Sequence, residues 1–329
     1  MNALSTSEIH ALRPRILERR ARLLALSGSL SADYLNGLLA EIDHALRKID
    51  DGSYGRCETC REPIEPARLD RNPLVRFCLD HLSDQERKAH QQDLDLAAEI
   101  QARLLPPKDL ALPQWETYYR YEPAGAVGGD YCELIPSRDG NSLFFAVGDV
   151  AGKGVAASLL MTHLSAILRS LLSLDLPLAE VVSRANRLFS EGTGAAHYAT
   201  LACGRATPGG LELCNAGHCR PLLLQKDCAG RLDPTGLPLG LFPAARYEVK
   251  PLPMQAGDTL VLYSDGITEA RNPEGVEYAE ERLVDSLRLH TGRDAAAIAG
   301  AVLRDLARFR AGRAPHDDIT LLIVRRTAC

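Results

Sequence analysis

The sequence predicts an α+β protein in two parts: a small, helical and cysteine-rich N-terminal part, and a larger part built of layered helices and sheets. A length of 329 residues suits about two domains, and 46% hydrophobic with 25% charged residues is the balance of an ordinary globular protein. After Trp115, apolar strands and helices follow one another in blocks, without the alternation of a doubly wound sheet. This order favours a layered α+β fold for the larger part.

The first 50 residues predict a helical hairpin with a turn at Ser27–Ser31. Ser5–Glu8 fits a capping box, after which apolar residues recur at helical spacing as far as Leu23. Pro14 lies within this segment, so it must occupy a first turn or kink the helix. The second helix carries an apolar stripe from Leu35 to Ile49.

Residues 51–82 predict a compact metal site. Cys57-Glu-Thr-Cys60 and Cys78-Leu-Asp-His81 form two chelating pairs, the spacing of a tetrahedral Cys₃His site for one structural Zn²⁺. The alternative is a set of free or disulfide-linked cysteines. The remaining cysteines lack such spacing and are expected mostly in the core: Cys132, Cys203, Cys214, Cys219, Cys228 and Cys329.

A polar connector helix follows, opened by a capping box at Ser83 and Glu86 and stopped by Pro106-Pro107. We expect its apolar side to be buried against a second copy of the chain or against the larger domain. That side comprises Leu94, Ala97, Ala98, Ile100, Leu104 and Leu105. The predicted domains are therefore 1–82, the connector 83–107 and the larger domain 108–329.

Short apolar runs in the larger domain predict strands, and the segments between them predict helices. The strands are Leu143–Val147, Tyr198–Cys203, Thr259–Leu262 and Ile319–Val324, and the helices lie near 154–174, 178–191, 280–290 and 294–310.

Aspartates stand at the ends of several of these apolar strands. Asp149 and Asp265 each follow one, Asp317-Asp318 precedes another, and Asp130 follows Gly128-Gly129. A carboxylate at the mouth of a buried strand is costly unless it is solvated, paired or bound to a cation. Four such sites with flanking glycines predict Mg²⁺ or Mn²⁺ coordination by oxygen, the alternative being ordinary Asp-Gly turns.

The segment Gly148–Gly154 looks like a nucleotide-binding loop but does not fit the pattern. Only three residues separate Gly148 from Gly152-Lys153, and Gly154 follows the lysine where a P-loop has Ser or Thr. The segment does place a flexible loop at a helix N-terminus, which favours an anion or a metal-bound phosphate.

The N-terminal cysteine region resembles the DksA/TraR family of zinc-finger proteins. The resemblance covers about 75 residues and rests on Gly52-Ser-Tyr-Gly-Arg-Cys-Glu-Thr-Cys60, Pro63-Ile64, Arg68-Leu69 and Pro73, with His81 in place of the usual fourth cysteine. It implies a helical hairpin followed by a zinc finger, and a possible partner in RNA polymerase.

Residues 93–326 resemble the SpoIIE/RsbU type of PPM-family, metal-dependent serine/threonine phosphatases. Six motifs occur in the family's order: Asp95–Pro106, Gly128–Tyr131, Gly148–Gly154, Asn215–His218, Tyr263–Gly266 with Thr268–Ala270, and Asp317–Thr320. The resemblance implies an α-β-β-α sandwich with a two-metal site at one edge of its sheets.

The resemblance also implies roles for individual residues. Asp149 would bridge two Mn²⁺ or Mg²⁺ ions, Asp130 and the Val150 carbonyl would complete the first ion's ligands, and Asp265 and Asp317 would hold the second. Asp149 and Asp265 would thus be the catalytic residues of a two-metal phosphomonoester hydrolysis without a covalent phospho-enzyme.

The roles of three further residues have two alternatives each. Asp318 could replace or assist Asp317 at the second ion. His218 is either a direct participant or a structural histidine. Lys153 either attracts the phosphate or is a solvated loop lysine.

The sequence thus predicts a cytoplasmic serine/threonine phosphatase that dimerises through the connector helix and is regulated by the zinc module. Family resemblance implies a phosphorylated STAS-type anti-sigma-factor antagonist as substrate. A net charge of −5, spread over both parts, argues against nucleic-acid binding. The N-terminus lacks an apolar signal segment, and the apolar helix 158–174 contains His163 and Arg169, which argues against a membrane span.

Two alternatives remain for the function. One is a non-catalytic transcription adaptor that binds RNA polymerase through the finger, and the other is a phosphatase for small esters.

Overall fold

The chain divides into two compact units, Met1–Asp93 and Leu94–Cys329, whose boundary falls within one helix. A computed structural model describes residues 6–25, 32–82, 84–194, 197–226 and 228–328. The expected turn at Ser27–Ser31 and the capping residues Ser5 and Ser83 lie outside these ranges.

The first unit begins with the predicted pair of helices, α1 (Thr6–Ala25) and α2 (Ala32–Asp50). Leu12 and Ile16 of α1 and Ile42 of α2 are buried in one cluster. Pro14 is the ninth residue of α1 and lies in its interior, so the expectation that it could occupy a first turn is wrong.

The finger that follows contains a short helix, α3 (Pro66–Arg71), and a single 3₁₀ turn, Leu79–His81. Glu58, between the first two cysteines, ties the finger to α2. Its carboxylate pairs with His44 and Lys48 of α2 and with Arg76 of the finger. Burial alone would raise the pKa of Glu58, but these hydrogen bonds and charges lower it to about 2.

Helix α4 (Asp84–Leu104) continues into the second unit, which contains two antiparallel sheets. Their strand orders are β1-β2-β11-β10-β7-β8 and β3-β4-β5-β6-β9. The strands are β1 (Asp109–Leu112), β2 (Trp115–Glu122), β3 (Asp130–Pro136), β4 (Leu143–Val150), β5 (Ala199–Thr207), β6 (Gly210–Ala216), β7 (Leu222–Gln225), β8 (Cys228–Arg231), β9 (Lys250–Leu252), β10 (Thr259–Tyr263) and β11 (Ile319–Arg326).

Helices cover both outer faces of the two sheets. They are α5 (Gly154–Leu172), α6 (Leu178–Thr193), α7 (Asp265–Thr268), α8 (Ala279–Arg288) and α9 (Ala295–Arg310). Alternate residues of β10 and β11 face opposite ways: Val261 and Ile323 pack with α8 and α9, while Leu260 and Leu322 pack in the layer between the sheets. A third cluster joins the five-stranded sheet to α5 and α6. The second unit is therefore an α-β-β-α sandwich, and the α+β prediction is confirmed.

Within the described ranges, α5 is the one helix long and apolar enough to cross a membrane by length and composition. Met161, Leu164 and Leu168 of this helix are buried in the core. Its Arg169 forms a bidentate ion pair with the buried Glu133 of β3. These contacts are those of a core helix in a globular fold.

The predicted core cysteines divide by exposure. Cys132, Cys203 and Cys214 are buried, Cys219 is half-buried and Cys228 is exposed, whereas Cys329 lies outside the described ranges.

Candidate active site

The centre of the site lies where β3 and β4 pair. Asp130 stands directly opposite Asp149 in the antiparallel register of these strands. Glycine is required at position 148, because a Cβ there would lie 2.5 Å from the Thr200 carbonyl oxygen. A Cβ at Gly129 would be tight, at 3.1 Å from the Val150 carbonyl oxygen. The small residues predicted to flank the aspartates therefore allow the strands to approach closely.

The other sheet supplies Asp265 and Asp317. Asp265 begins α7 directly after β10, and Asp317 lies just before β11, the strand paired with β10. A Cβ at Gly266 would overlap the Asp318 carbonyl, so the two chain segments touch at this glycine. The Ser264 hydroxyl fixes the junction, since it donates to the Asp318 carbonyl and accepts from the Thr320 N–H.

The four carboxylates lie close enough to disturb one another electrostatically. Burial, followed by the nearby charge of Asp265 and then that of Asp317, raises the pKa of Asp149 to about 7. Asp130 is only 3% exposed, and burial, with a smaller effect of Asp149, raises its pKa well above the usual range. The Thr320 hydroxyl donates a hydrogen bond to Asp130 Oδ2. Such crowding of like charges is costly without a cation.

This donor set fits hard divalent cations. Carboxylate and carbonyl oxygens are the ligands that Mg²⁺ and Mn²⁺ prefer, and Asp130, Asp149, Val150, Asp265 and Asp317 supply them from both sheets. The four aspartates lie close enough together that burial, and then the charges of neighbouring aspartates, raise the pKa values of Asp130, Asp149 and Asp265. The Val150 carbonyl and the Asp149 carboxylate both lie beside Gly129. The roles of these five residues as ligands stay a prediction.

Asp318, the alternative to Asp317, makes hydrogen bonds to the backbone, and its assistance at the second ion stays a prediction. Its side chain accepts hydrogen bonds from the Ala124 N–H at 2.8 Å and the Gly129 N–H at 2.7 Å, and it is 7% exposed. These amides belong to the 124–130 loop, defined here as the segment that joins β2 to Asp130. The Asp318 carboxylate therefore holds this loop against the start of β11.

Lys153 is not a simple solvated lysine, although 68% of its side chain is exposed. Its Nζ lies 2.8 Å from Asp317 Oδ2 and donates to the His316 carbonyl at 3.1 Å. Lys153 is the N-cap residue of α5, and this position carries its side chain to the acidic cluster.

His218 has the contacts of a structural histidine. The Asn215 side chain accepts from the His218 N–H and donates to its carbonyl, which fixes the turn. His218 Nδ1 lies 2.8 Å from Thr200 Oγ1, and Nε2 is buried without a hydrogen-bond partner among the described residues. Burial lowers the pKa of His218 to about 4, so the ring is neutral at pH 7.

Sequence reasoning missed Gln101. This side chain is 5% exposed on the mostly polar helix α4. Its Nε2 donates to the Gly128 carbonyl at 2.8 Å, and its Oε1 accepts from the Gly128 N–H at 3.1 Å. Ile100, placed on the helix's buried side by its pattern, is 50% exposed instead. The available signal was a glutamine at helical spacing from Ala97, Ala98 and Leu104.

The four predicted zinc ligands in the first unit also lie together. The ligand atoms of Cys57, Cys60, Cys78 and His81 are all within 4.8 Å of one another. Cys60 Sγ and Cys78 Sγ are 3.8 Å apart, the separation expected of two sulfurs each about 2.3 Å from a tetrahedral zinc. Burial would raise the pKa of the Cys57 thiol, but backbone N–H groups of Cys60, Cys78 and Thr59 lower it to about 6 and favour the thiolate. The cluster fits a structural Zn²⁺.

The sandwich is the fold of PP2C-type phosphatase domains. The solved SiaA-PP2C domain of Pseudomonas aeruginosa matches with a TM-score of 0.64 and 20% sequence identity, over 73% of this chain and 98% of that one. At this identity, the likeness shows the fold.

The chain belongs to the SpoIIE family. The family model described as Stage II sporulation protein E (SpoIIE) matches residues 139–327, more than half of the chain. The model described as Prokaryotic dksA/traR C4-type zinc finger matches residues 52–80. Both resemblances seen in the sequence are thereby confirmed.

Two relatives cover most of this chain. Phosphoserine phosphatase RsbU of Bacillus subtilis is 28% identical over 246 residues, which are 72% of this chain and 70% of RsbU. Protein IcfG of Synechocystis sp. is 26% identical over 264 residues, 71% of this chain. The match spans only 41% of IcfG.

Proposed function

We propose that this protein is a metal-dependent serine/threonine phosphatase that hydrolyses phosphoserine or phosphothreonine in a protein. The observation that carries the proposal is the convergence of Asp130, Asp149, Asp265 and Asp317 from two sheets at one edge of a PP2C-type sandwich. Membership of the SpoIIE family and the similarity to a phosphoserine phosphatase support it.

In this proposal, divalent cations bound at the site supply charge neutralisation at the phosphoryl group and an activated water. The chain's own residues hold those ions and orient the reaction. Asp130 is fixed by the Thr320 hydroxyl, and the strand pairing holds Asp149 directly opposite it. His218 is neutral and buried, so it does not donate the proton to the leaving serine oxygen. Water supplies that proton.

The test is phosphate release from p-nitrophenyl phosphate with and without Mn²⁺. The wild-type protein should show activity that depends on Mn²⁺, and Asp149→Asn should lose it. Asp233→Asn, at an exposed position, is the matched control and should retain it. An inactive wild-type protein, or an active Asp149→Asn variant, would overturn the proposal.

We further propose a phosphorylated STAS-type anti-sigma-factor antagonist as the substrate. Dephosphorylation would let the antagonist capture its anti-sigma partner and free a sigma factor. The resemblance to RsbU supports this choice. A higher kcat/KM for such a phosphoprotein than for free phosphoserine is expected. Equal values would instead favour a phosphatase for small esters.

Helix α4 is proposed as the element that transmits regulation from the zinc module. Its buried Gln101 is bonded on both sides to Gly128, within the loop that leads to Asp130. Gln101→Ala should therefore lower kcat, whereas Gln92→Ala, exposed on the same helix, should not. If Gln101→Ala or removal of the zinc leaves activity unchanged, the regulatory proposal is wrong.

A homodimer through α4 is supported by two exposed apolar residues one turn apart. Leu96 is 56% exposed and Ile100 is 50% exposed, and their i, i+4 spacing places them on one face. Replacing both by glutamate should convert a dimer to a monomer in sedimentation experiments. A wild-type protein that sediments as a monomer would exclude this interface.

RNA polymerase binding through the finger remains the alternative function. The match to the dksA/traR finger model supports it, and a pull-down with the core enzyme tests it. A location in the reducing cytoplasm also stays a proposal, supported by the fact that none of the eight described cysteines is in a disulfide.

A further inference from the structure

Lys153 lies on the open side of the acidic cluster. Its ammonium is bonded to Asp317, yet 68% of the side chain is exposed. Gly152 and Gly154 flank it with φ values of +124° and +67°, and a Cβ at Gly154 would meet nothing within 4 Å. A ligand therefore has room to reach the ammonium without displacing a neighbouring side chain.

The first turn of α5 is open on the same side. Residues 154–156 are exposed, and the N-cap side chain of Lys153 makes no capping hydrogen bond. The N–H groups that begin this 19-residue helix are therefore not capped by the side chain of their N-cap residue. Together with the ammonium, they make this side of the site favourable for an anion.

The charge balance of the site calls for a positively charged side chain near the phosphoryl group. The four positive charges of two divalent ions offset the four carboxylates proposed to bind them. The fifth carboxylate, Asp318, is stabilised by hydrogen bonds from the backbone of the 124–130 loop. A phosphomonoester dianion would then add two negative charges. The Lys153 ammonium, already in contact with Asp317, supplies a positive charge at this place.

Resting on the proposed phosphatase activity, we infer that Lys153 is a substrate-binding residue whose ammonium contacts the phosphoryl oxygens. Its present partner, Asp317, is a predicted ligand of a divalent ion, and binding of that ion weakens the attraction of Asp317 for the lysine. The flexible four-carbon stem of lysine allows its head group to move from the carboxylate to the substrate. The structural alternative is that Lys153 only orients Asp317 for the metal.

The experiment compares Lys153→Gln and Lys153→Arg with Lys250→Gln, an exposed lysine on strand β9. Calorimetry on the full-length protein measures the affinity for inorganic phosphate in the presence of Mn²⁺, and separately the affinity for Mn²⁺ alone. Steady-state kinetics with p-nitrophenyl phosphate give KM and kcat.

Lys153→Gln should weaken phosphate binding by about 10- to 100-fold, the loss expected for a charge-assisted hydrogen bond, with a matching rise in KM. The affinity of Lys153→Gln for Mn²⁺ should stay within about threefold of the wild type, because the predicted metal ligand Asp317 is unchanged. Lys153→Arg should recover most of the phosphate affinity, and Lys250→Gln should behave as wild type.

Unchanged phosphate affinity in Lys153→Gln would overturn the inference. So would a loss that is matched by an equal loss of Mn²⁺ affinity, because the lysine would then act on the metal site. The phosphate titration does not require turnover. An inactive wild-type protein would therefore overturn the phosphatase proposal, while the phosphate affinities of wild type and Lys153→Gln would still decide the role of Lys153.

Discussion

The same substitution, aspartate to asparagine, should have different effects at the adjacent positions Asp317 and Asp318. Asp318 is buried and accepts two short hydrogen bonds from the backbone of the 124–130 loop. Asp317 is more exposed, and within the described part of the chain its ion pair is with the largely exposed Lys153. We therefore predict that Asp318→Asn destabilises the metal-free protein, whereas Asp317→Asn mainly abolishes metal binding.

The magnitudes follow from these contacts. A hydrogen bond to a buried charged group contributes about 1.5–3 kcal/mol, and an asparagine can accept only one of the two while its NH₂ group faces the other donor. A loss of about 3 kcal/mol corresponds to a fall in Tm of about 6–12 °C for a unit of this size. An exposed ion pair such as Asp317–Lys153 contributes about 0–1 kcal/mol.

The assay is thermal unfolding of wild type and both variants, first without divalent cations and then with Mn²⁺. Before metal is added, only Asp318→Asn should show a lower Tm. On addition of Mn²⁺, the wild type should be stabilised, because a ligand that binds the native state raises its stability, and Asp317→Asn should gain much less. A metal-free Tm that falls as much in Asp317→Asn as in Asp318→Asn would refute the assignment of the two roles.

Three further outcomes are expected. Gly128→Ala should destabilise the larger unit by about 2 kcal/mol or more, as core overpacking does, because the added Cβ would overlap the buried Asp318 carboxylate. Gly125→Ala in the same loop would meet only one atom, at 3.6 Å, and should unfold in urea like the wild type. Cys78→Ser should lose the zinc measured by elemental analysis, and Cys228→Ser, an exposed thiol, should keep it; retention of zinc by the first variant would contradict the site. In the metal-free protein, the pKa of Asp149 is raised to about 7, so between about pH 4 and pH 7 the folded state keeps a proton that the unfolded chain releases. Stability to urea should therefore fall as the pH rises through this range. Asp149→Asn should flatten this dependence.

The sequence was most informative where a pattern repeats. The four long apolar runs became β4, β5, β10 and β11, because alternate side chains of a sandwich strand are buried on both faces. Edge strands such as β1, β8 and β9 have only three or four residues, too few to show a period.

The site was predictable in its residue types but not in its detailed contacts. Composition and position marked the acidic residues, yet Asp317 and Asp318 are neighbours in sequence and lie in different environments. Only the fold shows that the second carboxylate is enclosed by the 124–130 loop. Gln101 was missed for a related reason, since a polar residue on a polar helix gives no hydrophobic signal even when its amide is buried.

The position of strand β11 determines how much of the larger unit can fold while the chain is still being synthesised. It lies between β2 and β10, and the residues just before it provide Asp317 and the carboxylate that holds the 124–130 loop. A ribosome-bound chain that has reached β10 therefore carries two unpaired strand edges and an incomplete set of acidic ligands. Unpaired edges are open to association with other chains, so this interval is when the nascent protein is most exposed to aggregation. Insertion of a single late strand both closes the sheet and completes the acidic cluster, so a chain that lacks this strand also lacks the proposed metal site.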